Sequence, residues 1–547
     1  MNQSRRSCVG FSVFMALNAL VGQAILATPA PVTTPAQVTI EQGALEGVRV
    51  DGIQEFLGIP YAEPPIGDLR WRPPVAPKRW EGLREATQFG PACAQVTTLG
   101  VFAGPPNNNE DCLTLNVFTP EARGTNKLPV IIWLHGGANL DGSSSGYDGS
   151  RLAARGQVVV VTVNYRLGLL GWLAHPALDA EGHPFANYGL LDQQLALKWV
   201  KGNIASFGGD AGNVTLAGQS AGSIDAQANV ASPLAAGLFH RAIFQSGVAD
   251  GVPLEAAEKT GSDFAAAAGC GRGASPEVAA CLRQLPVQRI MQLAGTEAAA
   301  GPFGSLLIAD GQIVPPGGLF AAFRSGAFNH VPIMSGTVHD ERNLLAAVME
   351  YYSGPPRHPI TEEQFRSYIS RAYPAETAEK IFQEYRIADY RTPQLALGAA
   401  STSMAVCPQL ILNRILAPQV PVYGYEFNDS SAPFYFPTLP GFEPLAYHTA
   451  DIQYLFPLWH GGPAGIVHRL NASQQRLSDA LVKAWTNFAR TGGPNGPGAP
   501  SWPVFKPTTS APGIYLSEAV PISTTITDRQ FADEHKCSFW MKIRPER

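Results

Sequence analysis

Short apolar runs rich in β-branched residues recur along this chain, each closed by glycine, proline or polar residues. "VIIWL" (130–134), "VVVVTV" (158–163), "VTLA" (214–217), "AIFQSG" (242–247), "VPIMSG" (331–336) and "VYGYEF" (422–427) are of this kind. Runs this short, with hardly a polar position, predict strands buried on both faces. Between them lie longer segments with helical periodicity. In "GLLDQQLALKWVKGNIASF" (189–207), Leu190, Leu191, Leu195, Trp199 and Ile204 fall near one helical face. Such strands alternating with helices predict an α/β fold around a mainly parallel sheet. From about 345 to 440 the strand signal thins, which predicts a helical insertion over the sheet.

The first residues break this pattern. Arg5 and Arg6 precede the apolar stretch "CVGFSVFMALNALVGQAILA", which ends in small residues. That order predicts a signal peptide over residues 1–27, cleaved near Ala24 or Ala27, and a secreted or periplasmic mature chain. Asn18 and Gln23 interrupt the stretch, and small residues and prolines follow it, which argues against a permanent anchor. No later segment is expected to cross a membrane.

Cysteine usage agrees with export. Cys8 lies in the signal, and six remain. No Cys-x-x-Cys occurs, so zinc ribbons and thioredoxin-like chemistry are not expected. Local pairing joins Cys93 to Cys112 and Cys270 to Cys281, leaving Cys407 and Cys537 as a long-range pair. The net charge of −5 argues against a groove that tracks nucleic-acid phosphates. At 547 residues and 45% hydrophobic composition the chain can bury a large core. It shows no repeat and no compositional break.

Two pentapeptides match Gly-x-Ser-x-Gly: "GQSAG" (218–222) and "GSSSG" (142–146). A nucleophilic serine in an α/β sheet sits on a sharp strand-to-helix turn, where flanking glycines relieve crowding. Around Ser220 the context fits. "VTLA" precedes it as a strand, and "SAGSIDAQANVA" can start a helix whose N-terminus favours developing negative charge. Ser144 lies in the polar stretch "ANLDGSSSGYDGS", which predicts a flexible loop instead. A nucleophilic serine also needs donors for the oxygen of the tetrahedral intermediate it forms. "WLHGGANLDG" (133–142) follows a strand, so the amides of Gly137 and Ala138 can point into a pocket, with that of Ala221 as a third donor.

With these features assembled, the chain resembles the type-B carboxylesterase/lipase family, the cholinesterase-like branch of the α/β-hydrolases. The likeness covers nearly the whole mature chain. It rests on "FLGIPYAEPPIGDLRWRPP" (56–74), "EDCLTLNVFTP" (110–120), "NYRLGLLGWL" (164–173), "NYGLLDQQLALKWV" (187–200) and "FGGDAGNVTLAGQSAGS" (207–223). The resemblance implies a single α/β-hydrolase domain over residues 28–547 and a Ser–Glu–His triad in that chain order. Its acid block matches "SGTVHDERNLL" (335–345), which selects Glu341, with Asp340 as the neighbouring alternative. Five histidines follow: His358, His448, His460, His468 and His535. The histidine block resembles "YHTADIQYLF" (447–456), which selects His448, with His460 in "WHGG" as runner-up. The resemblance also supports the cysteine pairing and implies two structural ion pairs, Arg70–Glu110 and Arg166–Asp192. Ser246 matches a family serine near the acid.

Such a triad hydrolyses an ester through an acyl-enzyme and requires no metal or cofactor. The implied partner is a small-molecule ester. Amides, carbamates or thioesters could meet the same triad, and the family also contains non-catalytic binding domains. Those typically lose a triad member, whereas all three candidates are present here. Departures from the cholinesterase pattern bear on the substrate. The loop from Cys93 to Cys112 is short and lacks the tryptophan that binds choline, and Gln219 stands where cholinesterases carry glutamate. Both changes remove attraction for a cation. The short loop also makes no long lid, which favours soluble or moderately sized esters. The family's third oxyanion glycine is Ala138, and Phe303 is a candidate for the acyl wall. Asn213 and Asn471 fit glycosylation sequons; Asn213, just ahead of the elbow strand, is read as structural.

Overall fold

Apolar runs buried on both faces build the centre of the molecule. A computed structural model describes residues 33–543, apart from 97–100, 102–106, 122–125, 295–306, 498, 500, 509–511 and 520–522. These residues belong to one compact unit beginning at Thr33. The expected signal peptide, its cleavage points and Phe303 lie outside the described residues.

The spine of the unit is a thirteen-stranded sheet. In chain order its strands are β1 (Thr34–Ile40), β2 (Gly43–Val50), β3 (Ile53–Pro60), β4 (Leu83–Glu85), β5 (Thr114–Pro120), β6 (Leu128–Leu134) and β7 (Val159–Val163). β8 (Gly209–Gln219), β9 (Arg241–Gln245), β10 (Ile333–Val338), β11 (Val422–Phe427), β12 (Ile514–Glu518) and β13 (Thr524–Thr527) complete it. Across the sheet they run β1-β2-β3-β5-β7-β6-β8-β9-β10-β11-β12-β13, with β4 beside β2. From β7 to β12 every neighbour is parallel. The sheet is therefore mixed: β1, β2, β3, β5 and β7 pair antiparallel, as do β12 and β13. The parallel centre is the predicted one. The first antiparallel strands escaped because β1 alternates buried and exposed residues, as a strand covered on one face does.

The predicted helix at 189–207 is α1 (Tyr188–Asn203), followed by a single 3-10 turn. It is buried nearly all round, so its polar Asp192, Gln193 and Gln194 are interior too. α2 (Ala221–Ala231) follows β8 directly. The expected insertion at about 345–440 is helical only in its first part. It holds α3 (Asn343–Tyr351), helices Glu362–Ala372 and Ala375–Glu384, and α4 (Pro393–Leu416). Beyond it, β11 is a strand of the main sheet, because "VYGYEF" is buried along most of its length. A second correction concerns α4. With a mean hydropathy of 1.5 it is long and apolar enough to cross a membrane, contrary to the sequence expectation. Its most apolar window is 67% buried within the protein, as in a core helix.

Three disulfides join Cys93 to Cys112, Cys270 to Cys281, and Cys407 to Cys537. The last ties α4 to the helix Cys537–Ile543 across 130 residues of chain. Closing a loop of that length restricts the unfolded chain by about 5 kcal/mol on an entropic account. Two ion pairs pin loops to this frame. Arg70 grips Glu110 through Nε (2.7 Å) and Nη2 (2.6 Å), and Arg166 grips Asp192 through Nε (2.8 Å) and Nη2 (2.6 Å). The second pair is interior, at 4% and 0% side-chain exposure.

Candidate active site

The parallel strands end along one edge, and there β8 stops at Gln219 and α2 starts at Ala221. Ser220 bridges them with φ 58° and ψ −123°, a backbone conformation that L-residues rarely adopt. Neighbours hold it there. Its N–H donates to Gln245 O (2.8 Å), and its carbonyl accepts from Ser223 N (3.0 Å). A side chain at Gly222 would place its Cβ 2.1 Å from Leu134 O, and one at Gly218 would lie 2.2 Å from Gly222 O. The turn exists because both positions are glycine.

Three residues beyond β10 lies Glu341, buried at 3% exposure. The loop carrying it is tied to the loop carrying His448 by Asp340 N to Ala446 O (2.9 Å) and His448 N to Glu341 O (3.2 Å). This brings His448 Nδ1 to 2.5 Å from Glu341 Oε2. The other carboxylate oxygen accepts from Thr337 Oγ1 and from Val338 N (3.1 Å). Burial alone would raise the Glu341 carboxyl, but His448 and the Thr337 hydroxyl outweigh it and hold the group below its usual range. An ionised Glu341 fixes the tautomer with Nδ1–H, leaving Nε2 as an acceptor. The group at Nε2 is the Gln219 amide nitrogen, 3.3 Å away. Among the described residues Ser220 Oγ makes no hydrogen bond, and it is Gln219 that meets Nε2.

Ser220, Glu341 and His448 line one cavity of about 570 Å³, together with Gly137 and Ala138. Gly137 (φ 117°) and Ala138 (φ 55°) form a turn after β6. Among the described residues, the amides of Gly137, Ala138 and Ala221 donate to no other protein group. Asn139 anchors this turn by donating to Asp225 Oδ1 (3.0 Å), while Gln193 of α1 donates to Asp225 Oδ2 (2.6 Å). Burial pushes the Asp225 carboxyl up to about 7, although both amides pull it down. Tyr147, Leu344, Leu345, Val348 and Trp459 supply apolar wall, and Gln95 and Asn107 of the first disulfide loop stand at the cavity too.

The alternatives fall elsewhere. Ser144 is not in a flexible loop, as its polar surroundings predicted. It is buried at 3% exposure, accepts from Asn116 Nδ2 (3.0 Å), and its amide donates to Asn164 Oδ1 (2.7 Å). Asp340 accepts from Ala446 N (3.2 Å) and faces His339, and His460 Nδ1 bonds Leu458 O (2.8 Å). His535 bonds Glu426 (2.6 Å), and His358 is exposed. Ser246, at φ 55°, has a buried hydroxyl near Glu341 that makes no well-formed hydrogen bond. Asn213 accepts from Arg241, and Asn471 caps the helix Ala472–Thr491.

A model of the carboxylesterase family matches residues 34–540. The chain belongs to the carboxylesterase family. Human cocaine esterase is 32% identical over 95% of this chain and 92% of its own length. The para-nitrobenzyl esterase of Bacillus subtilis (strain 168) is 33% identical over 88% and 95% respectively. A solved PNB esterase structure superposes with a TM-score of 0.75 at 29% identity, covering 92% of this chain and 99% of that one. The fold is thus that of an α/β-hydrolase, and the activity is carboxylic ester hydrolysis.

Within this carboxylesterase, sequence reasoning missed the layer beneath the site. Asp451, three residues after His448, is buried and accepts from Gln245 Nε2 (2.9 Å), whose Oε1 accepts from Trp485 Nε1 (3.0 Å). Burial pushes Asp451 up to about 6, against the pull of Gln245 and with the push of Glu341. Glu518 beyond it is driven well above the carboxylate range by burial, with Asp451 adding to the rise. A polar residue inside an otherwise apolar block was the only signal for either, and it does not say what the side chain meets.

Proposed function

We propose that the protein is an exported serine carboxylesterase in which Ser220 is the nucleophile, His448 the base and Glu341 the acid that orients it. The observation that carries this reading is the 2.5 Å contact between Glu341 and His448 on the cavity that Ser220 enters from its strained turn. As Ser220 Oγ attacks the ester carbonyl carbon, His448 Nε2 takes its proton. Glu341 stabilises the imidazolium, and the amides of Gly137, Ala138 and Ala221 bind the oxyanion. The intermediate collapses, and the alcohol leaves with the proton from Nε2. Water then attacks the acyl-serine by the same route, releasing the acid and restoring Ser220.

Export is supported by the basic and apolar start of the chain and by three disulfides, which persist in oxidising compartments. On this reading residues 1–27 are removed and 28–547 act as one domain. The apolar wall and the absence of a carboxylate at position 219 favour neutral esters of moderate size over cationic ones.

The test is hydrolysis of p-nitrophenyl esters from acetate to palmitate by the mature chain, beside matched anilides. The reading expects ester cleavage that peaks at short to medium chains and is lost in Ser220→Ala. Full activity in Ser220→Ala, or cleavage of the anilides alone, contradicts it.

A further inference from the structure

Starting two residues before Glu341, at His339, imidazoles and carboxylates gather a second time. His339, Glu426 at the end of β11, and His535 each bring a ligand atom within 4.8 Å of the others. Glu426 and His535 are interior, at 1% and 4% exposure, and His339 is half-buried. His535 Nε2 lies 2.6 Å from Glu426 Oε1. His339 Nε2 lies 3.0 Å from Glu534 Oε1, and its Nδ1 is 3.1 Å from Asp340 Oδ2 without the alignment of a hydrogen bond. The two rings stand 5.1 Å apart, centre to centre.

Three carboxylates thus converge on two imidazoles. With neutral rings the group carries three negative charges in a partly dry setting, which is costly without compensation. Two occupants can compensate it: protons on the imidazoles, or a divalent cation. Burial lowers His339, but Asp340, Glu534 and Glu426 carry it up to about 11, so the proton is a real competitor. The donor set is the one a borderline cation takes, mixed imidazole nitrogen and carboxylate oxygen in a small compact group. Calcium or magnesium would call for oxygen alone. A route from solvent exists, since the Glu534 side chain is 54% exposed.

We propose that His339, Glu426 and His535 form a three-ligand site for a divalent cation of the zinc type, with the fourth position left to water. The ion takes no part in ester cleavage. It joins the loop that leads into Glu341 to β11 and to the C-terminal helices, beside the Cys407–Cys537 bridge, where Cys407 Sγ lies 3.7 Å from His535 O. The ligands stand far apart in the chain, so no spacing motif announces them.

The experiment is zinc retention by the mature chain after chelator treatment, incubation with a small excess of Zn²⁺, and gel filtration. It is run in a His448→Asn background, so that the cavity imidazole cannot contribute. The proposal expects one equivalent of zinc and a raised melting temperature. Binding should weaken at least about ten-fold in His339→Asn, whose partly exposed position spares the fold. Absence of retained zinc and of a melting shift, or equal retention in His339→Asn, overturns it and leaves the proton as the occupant.

Discussion

The two Gly-x-Ser-x-Gly pentapeptides are the same pattern with opposite fates. In 218–222 the serine sits between a parallel strand and a helix, in a conformation its neighbours impose, and it lines a cavity beside a histidine. In 142–146 the serine faces inward, its hydroxyl held by Asn116 and its amide by Asn164. The last glycines separate the two as sharply as the serines do. Gly222 has no room for a Cβ, whereas a Cβ at Gly146 would meet only Trp459 Nε1, at 3.9 Å. On the proposed reading, a pentapeptide carries chemistry only where the sheet forces its turn and supplies its partners. Elsewhere the same residues serve packing.

The strongest way to break this contrast is to remove each hydroxyl. Ser220→Ala is expected to lower ester turnover by about 10⁴-fold or more. Ser144→Ala should keep turnover within a few-fold while losing about 1 kcal/mol of stability, because Asn116 loses an acceptor. Kinetics and thermal melts on both variants check this. Next comes the proposed partner pair, which on this reading serves Ser220 and not Ser144. Glu341→Gln should cost about 10³–10⁴-fold in kcat through loss of the imidazole's orientation and charge stabilisation. The depressed Glu341 carboxyl also sets a direction with pH. Its folded value lies below its unfolded one, so the stability it contributes is complete above the ordinary carboxylate range and is lost as pH falls through the folded value. Melts at falling pH should show Glu341→Gln converging on the parent.

The glycines give a smaller effect. Gly222→Ala should destabilise by about 3 kcal/mol or more through its clash with Leu134 O, while Gly146→Ala should stay within about 1 kcal/mol. Denaturant titration of the pair measures the gap, and equal losses would remove the distinction between the two turns. The mildest test concerns Gln219, which meets His448 Nε2 at 3.3 Å. Gln219→Glu puts a carboxylate against the imidazole and favours its charged form. The acid limb of the kcat/KM profile should then move to higher pH by on the order of 1 unit. An unmoved limb would mean that Gln219 does not face Nε2 in the working enzyme.

The central strands and the elbow were legible because burial on two faces leaves an unbroken apolar run, and because the glycines and helix start around Ser220 are local. The proposed acid and base were legible only through resemblance. Nothing within "VHDER" or "YHTAD" states that Glu341 and His448 meet, since the loops are joined by backbone hydrogen bonds between distant segments. One-sided strands such as β1, the mostly buried α4, and supports such as Asn139, Asp225 and Asp451 were not legible. Each depends on what packs against it rather than on its own pattern. Ser144 was excluded for the wrong reason: a Gly/Ser stretch predicts flexibility, but buried amides from other segments hold it still.

The most direct measurement is covalent capture. The mature protein is inactivated with a fluorophosphonate, digested, and the modified residue located by mass spectrometry. The account predicts one adduct per chain, on Ser220, formed in step with loss of esterase activity. An adduct on Ser144 or any other residue, or full inactivation with Ser220 unmodified, would contradict it.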